Sequence, residues 1–213
     1  MDWVRQYGMQ TANSQPRFAT DRILLTRISA PEPSRTKLLG DAGDLRQLDR
    51  TGSVRAMASR LAATLNRAST TAAFALEDAG SGELLGLTAF ATIDTEEKRA
   101  TLAPIWCIAR FDEALLVSHV AHLMTRYAFG VLAVERTEVH LDWRLRRTLD
   151  LYTGLGFRCE GRLRAWLATD DGPAADAAVL SVISTEWPAV ADRQRKILAG
   201  EAWRGRLPSA LPP

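Results

Sequence analysis

The 213 residues predict an α/β domain, a mixed and mostly antiparallel central sheet flanked by helices. Three observations carry that expectation. Short runs rich in β-branched and aliphatic residues alternate with longer runs of helical period. Turn residues separate them at short spacing. The longest amphipathic run lies between two strand-like runs, where a crossover helix belongs. At 46% hydrophobic residues the chain can bury a full core, so one domain is expected over residues 21–200. Residues 1–20 are polar, aperiodic and contain Pro16, which predicts a flexible lead-in, and residues 201–213 end in the Pro-rich LPSALPP.

The elements follow in order. The first strand is expected over RILLTRIS (22–29), and a helical pair over about 35–50 and 53–68, where Val54, Met57, Leu61 and Leu65 recur at helical spacing behind Ser53. AAFALED (72–78) and ELLGLTAFATID (83–94) read as a hairpin closed by AGSG, and ATLAPIWCIA (100–109) as one buried strand. The longest helix spans about 113–131, with Val117, Val120, Ala121, Met124, Tyr127, Ala128 and Val131 on one stripe and Asp112 as its cap. TEVHLDW (137–143) alternates Val139, Leu141 and Trp143 with Glu138, His140 and Asp142, giving one packed and one polar face. A short helix over 146–154, two strands over 158–169 and 175–186 joined by DDGPA, and a last helix from Pro188 to about 203 complete the chain.

Composition excludes several function classes. A net charge of +2 is too small to demand nucleic acid or an acidic membrane as partner. No apolar run approaches bilayer length and the N-terminus lacks a secretory core, so the expected location is cytoplasmic. Cys107 and Cys159 sit in separate strand-like runs without ligand spacing and read as two buried thiols. His119 and His122 are spaced i, i+3 but have no third ligand in view, so they read as surface residues and no metal is expected.

The segment LYTGLGFRCEGRLR (151–164) places Tyr152 one turn before a helix-ending glycine, at a helix-to-strand switch. Taken with RYAFGVL (126–132) and SVISTEW (181–187), it resembles the RimJ/RimL-like branch of the GNAT acyltransferase superfamily over about residues 20–200. The resemblance implies an N-acyltransferase that moves an acetyl or other acyl group from acetyl-CoA or another acyl-CoA to an amine of a small molecule or peptide. No nucleic acid or membrane is required, and a homodimer is one assembly open to it.

In such a site the pantetheine arm lies as an added strand between splayed central strands. That assigns donor contacts to the backbone of Ile105, Trp106, Cys107 and Ile108. The pyrophosphate would rest on Arg110, Glu113, Ala114 and Leu115 at the amino end of the long helix, with Thr148 as a hydroxyl contact. Tyr152 is implied as the proton donor to the leaving thiolate. His140, Asp142 and Glu83 are the candidate acceptors of the amine proton, and Trp106 and Trp166 are expected near the groove.

Two departures stand beside these matches. The family's phosphate loop has small residues where this chain has Glu113 and Leu115, so a carboxylate and a bulky side chain stand where the backbone should approach a dianion. Leu145 replaces the usual Asn of N-x-x-S, with Arg144, Arg146 and Arg147 nearby as alternative phosphate partners. A second expectation follows: a GNAT-fold protein that has lost the acyl-CoA donor and serves as a binding or regulatory module, or as an enzyme of different chemistry in the same cleft.

Overall fold

A computed structural model describes residues 18–28, 45–47, 72–108, 112–169 and 172–200. The strands are β1 (Phe18–Ala19), β2 (Ile23–Ile28), β3 (Leu45–Gln47), β4 (Ala73–Asp78), β5 (Leu84–Asp94), β6 (Arg99–Leu102), β7 (Trp106–Ile108), β8 (Arg136–Asp142), β9 (Arg158–Leu167) and β10 (Ala175–Ile183). The helices are α1 (Glu113–Gly130), α2 (Arg146–Gly154) and α3 (Trp187–Leu198). The sheet runs β1-β2-β4-β5-β6-β8-β10-β9, with β7 beside β5 and β3 beside β7. Every pairing is antiparallel except β6 with β8, which are parallel because α1 crosses over between their ends.

Alternation along the strands divides the side chains between two faces. Phe74, Leu76, Phe90, Leu102, Val139 and Leu141 belong to the larger core beneath α1. Ala73, Ala75, Leu87, Ala89, Ala103 and Trp106 form a smaller cluster on the opposite face. Asp112 caps α1 as expected, its Oδ1 accepting from the Leu115 N–H at 2.8 Å. α1 is buried on nearly every side, and three of its polar residues are satisfied within the fold, whereas the Thr125 hydroxyl has no partner among the described residues. Ser118 Oγ bonds the Ala114 carbonyl at 2.7 Å, His119 Nδ1 lies 2.7 Å from Thr20 Oγ1, and His122 Nδ1 lies 3.0 Å from Gln194 Oε1. His119 and His122 are thus core residues, not the surface residues their spacing suggested. Burial lowers the pKa of both.

Three motif segments explain themselves in the packing. Phe157 N–H bonds the Tyr152 carbonyl and Gly156 N–H that of Thr153, the paired bonds of a Schellman ending to α2. Gly156 has φ +95°, and a Cβ there would meet Val190 of α3 at 3.2 Å. Tyr127 stacks edge-on to Phe18 and Phe74, each at 5.0 Å, while Phe129 meets Trp187 at 5.6 Å. The aromatic run of α1 therefore holds β1, β4 and α3 together.

Sequence expectations need correction in four places. The single strand over 100–109 is two, broken at Ala103, Pro104 and Ile105, where Pro104 has no N–H to offer a ladder. Leu45–Gln47, expected in a helix, is strand β3; tertiary pairing with β7 overrides the helical preference of Leu, Arg and Gln. The rest of the expected helical pair lies outside the described residues. Phe18 and Ala19, assigned to the lead-in, pair with Leu25 and Leu24, and Phe18 is buried. Val131 lies just past the end of α1 and is exposed.

Candidate active site

The sheet parts in its middle. β6 and β8 stay paired from Arg99 with Arg136 to Leu102 with Val139. Beyond that register the chain bends at Pro104, and β7 continues along β5 through Gly86 with Cys107 and Leu87 with Trp106. Gly86 is what permits this return. A Cβ there would stand 2.1 Å from the Trp106 carbonyl oxygen and 3.0 Å from Cys107 Cα. A wedge thereby opens between β7 and the His140–Asp142 end of β8. α1 starts downstream of β7 and α2 downstream of β8, and their first turns meet where Thr148 Oγ1 donates to Glu113 Oε1 at 3.0 Å.

A coenzyme A donor would need two open surfaces at this wedge. A pantetheine strand needs the free edge of β7, but that edge is paired with β3: Leu45 with Ile108, Arg46 with Cys107 and Gln47 with Trp106. A pyrophosphate needs the open N–H groups of the first turn of α1, but Asp112 takes that of Leu115 and the Glu113 carboxylate stands in the same turn. Thr148, the implied hydroxyl contact, is already committed to Glu113. The residues in this arrangement do not fit coenzyme A. Ala114 and Leu115 line a neighbouring groove of about 450 Å³ with Ser118, Leu151 and Ile197. Arg110 lies outside the described residues.

On the sheet face opposite the larger core, the polar residues of β8 join into one network. Arg136 Nε donates to Glu138 Oε2 at 2.8 Å, and its Nη1 and Nη2 donate to Glu160 Oε1 and Oε2 at 2.8 and 2.6 Å. Ser181 Oγ donates to Glu160 Oε1 at 2.6 Å. His140 is clamped on both nitrogens: Trp166 Nε1–H donates to Nδ1 at 3.1 Å, which leaves the proton on Nε2, 3.1 Å from Glu138 Oε1. The His140 bond and the Arg136 guanidinium together hold the Glu138 carboxyl at about 2, below its usual 4.5. Within this network two carboxylates share one guanidinium, and Arg158 stands in the same row opposite Ser181.

Trp166 reaches His140 through a bulge. Leu163 pairs with Ala177 and Leu167 with Ala175, so three residues of β9 face Asp176 alone. Ala165 takes φ +51° there and its N–H donates to Asp176 Oδ1 at 2.7 Å, while Arg162 Nε donates to Oδ2 at 2.7 Å. The indole is 55% exposed and meets the His140 ring edge-on at 5.6 Å. Sequence reading placed Trp166 near the groove but missed Glu138 and Asp176. The alternation of TEVHLDW was the available signal for Glu138, and no pattern marked Asp176.

The remaining predicted residues do not converge. Tyr152 is 1% exposed, its ring edge-on to Phe157 at 5.2 Å in the larger core. Asp142 is buried and holds the following turn, accepting from Arg144 N–H and Nε at 2.9 Å and Nη2 at 2.6 Å. Glu83 sits at the hairpin before β5, seven residues from Phe90, which shares the register row of Leu102 and Val139. At ~3.3 Å per residue that is roughly 20 Å from the row of His140. Cys107 is buried and Cys159 half-buried. Trp106 is buried, and among the described residues its Nε1–H has no acceptor. Among the described residues no metal-ligating cluster occurs, and no helix is long and apolar enough to cross a membrane.

No protein-family model and no curated protein matches the chain. Solved structures do. A candidate acetyltransferase from T. thermophilus is 25% identical, with a TM-score of 0.67 over 89% of this chain and 100% of that one. A GCN5-related N-acetyltransferase from Brucella melitensis is 21% identical, with a TM-score of 0.70 over 92% and 91%. The spermidine/spermine N-acetyltransferase SpeG from Vibrio cholerae is 15% identical, with a TM-score of 0.59 over 79% and 96%. The chain has the fold of the GCN5-related N-acetyltransferases.

Proposed function

We propose that this chain is an N-acyltransferase of the RimJ/RimL type, transferring an acetyl or other acyl group from an acyl-CoA to an amine of a small molecule or peptide. The observation that carries the reading is the wedge between β7 and β8, with the first turns of α1 and α2 meeting at its mouth. The three solved structures compared above are acetyltransferases or candidates for that activity, which supports the reaction class but not its donor or acceptor.

The acceptor fits the face that carries Trp166, His140, Glu138 and Glu160. The exposed indole offers a face for the cation of a protonated amine, and the Glu138 carboxylate is linked to it through His140. Acyl transfer needs that nitrogen neutral, so its proton must leave first. His140 has both nitrogens engaged and orients Trp166, while Glu138 is too weak a base at about 2. Proton removal therefore falls to solvent at the rim. Spermidine, the substrate named for the Vibrio cholerae protein, makes polyamines the first acceptors to try.

A second reading, a GNAT fold without the donor, is favoured by the Glu113–Thr148 bond and by β3 on the donor edge. Release of free thiol from acetyl-CoA, measured against polyamines, arylamines and N-terminal peptides, separates the two. Turnover that Trp166→Ala weakens through KM supports the first reading. No thiol release with any amine at millimolar donor supports the second. Full turnover in Tyr152→Phe would remove the implied proton donor.

A further inference from the structure

We infer that the chain closes its own donor site: Leu45–Gln47 occupies the strand position a pantetheine arm would take, and Glu113 stands in for the phosphate. The inference rests on the acyltransferase reading. The two edges of β7 are both used. Cys107 is in register with Gly86 on one side and with Arg46 on the other, so β3 lies on the side facing the wedge. Among the described residues β3 joins the sheet only through β7.

An independent observation lies at the mouth. The amino end of α1 attracts an anion, and the chain supplies two of its own, Asp112 as the cap and Glu113 in the first turn. Glu113 is held in place by Thr148, the hydroxyl implied as the donor's contact. Strand edge and anion position are thus filled by two segments far apart in sequence, as one extended, phosphorylated ligand would fill them. A three-residue ladder is short beside an ordinary strand of about five to six residues, so β3 is exchangeable while β4, β5 and β8 are not. The resting protein excludes acyl-CoA, and donor entry displaces β3 and separates Glu113 from Thr148.

The test pairs hydrogen exchange with calorimetric titration of free coenzyme A. In a strand, consecutive N–H groups point to opposite edges, so Leu45→Pro/Arg46→Pro must remove a donor facing β7. Exchange at the amides of Trp106, Cys107 and Ile108 that face β3 should quicken at least tenfold in this variant. Coenzyme A should bind it at least tenfold more tightly than wild type, with a further gain on adding Glu113→Gly. Equal affinity in wild type and variants overturns the inference and leaves the acyltransferase reading standing. No binding in any chain, with exchange quickened, removes the donor reading and the closure with it. Should the double variant not fold, wild type suffices: millimolar coenzyme A must strip protection from Leu45–Gln47, and binding that leaves it intact refutes the displacement.

Discussion

Gly86→Ala tests the wedge at its hinge. The added Cβ would lie 2.1 Å from the Trp106 carbonyl oxygen, 3.0 Å from Cys107 Cα and 3.1 Å from the Trp106 carbonyl carbon, all backbone atoms that no rotamer change can move. Real Cβ contacts do not fall under 3.0 Å, so β7 must withdraw by about 0.9 Å, the difference between those distances. Withdrawal breaks the pairing of Gly86 with Cys107 and strains that of Leu87 with Trp106. The equivalent of one hydrogen bond at about 1 kcal/mol, with about 1–3 kcal/mol of overpacking, gives a loss of about 2–4 kcal/mol. At ~2–4 °C per kcal/mol for a domain of this size, the Tm should fall by roughly 5–15 °C. Differential scanning calorimetry reads the shift, and exchange at Cys107 reads the loosened strand. A Tm within about 2 °C of wild type would show that β7 does not return to β5.

Three further outcomes are expected. Asp112→Ala removes the cap on Leu115 N–H and should cost about 1 kcal/mol in urea unfolding, whereas Asp112→Asn should cost a few tenths. Because the folded Glu138 carboxyl sits at about 2 against 4.5 when free, its contribution is complete above pH 4.5 and is lost as pH falls toward about 2. Arg136→Met, which leaves Glu138 and Glu160 without their shared cation, should flatten that acid limb of the stability curve and cost about 1–2 kcal/mol at neutral pH. At Ala165, whose φ is +51°, replacement by Gly should hold or raise stability by up to about 1 kcal/mol while Val lowers it by more than that, both read from the urea midpoint.

What could be read from the sequence was whatever depends on period and local termination. The α1 stripe, the Asp112 cap, the alternation of β8 and the glycine ending of α2 are all local patterns, and each stands where its pattern put it except at Val131, past the end of α1, and at Asp142, which is buried. The meaning of the motif residues was not local. Glu160 and Ser181 lie 21 residues apart and are linked through the pairing of β9 with β10, and Trp166 reaches His140 only because Asp176 pins a bulge. β3 was missed for the same reason, since three residues of helical preference become a strand only when β7 offers them an edge. Tyr152 shows the converse: its motif placed it correctly on α2, but the packing that buries its ring against Phe157 is a property of the folded core.

The two obstacles at the wedge differ in strength. A tethered segment competes with a free ligand at an effective concentration of about millimolar, so β3 alone weakens an abundant donor without abolishing its binding. Glu113 is harder to bypass, because it opposes the part of coenzyme A that a helix start recognises best, the pyrophosphate. Two like charges at about 4 Å repel by roughly 4 kcal/mol near a protein surface, enough to cancel much of what the first turn of α1 could return. The carboxylate can leave only by giving up its 3.0 Å bond from Thr148 Oγ1, a further cost to the donor that replaces it. Donor selection by this chain therefore turns on residue 113 more than on the strand: a donor bearing less negative charge at that end would meet the β3 edge as its remaining barrier.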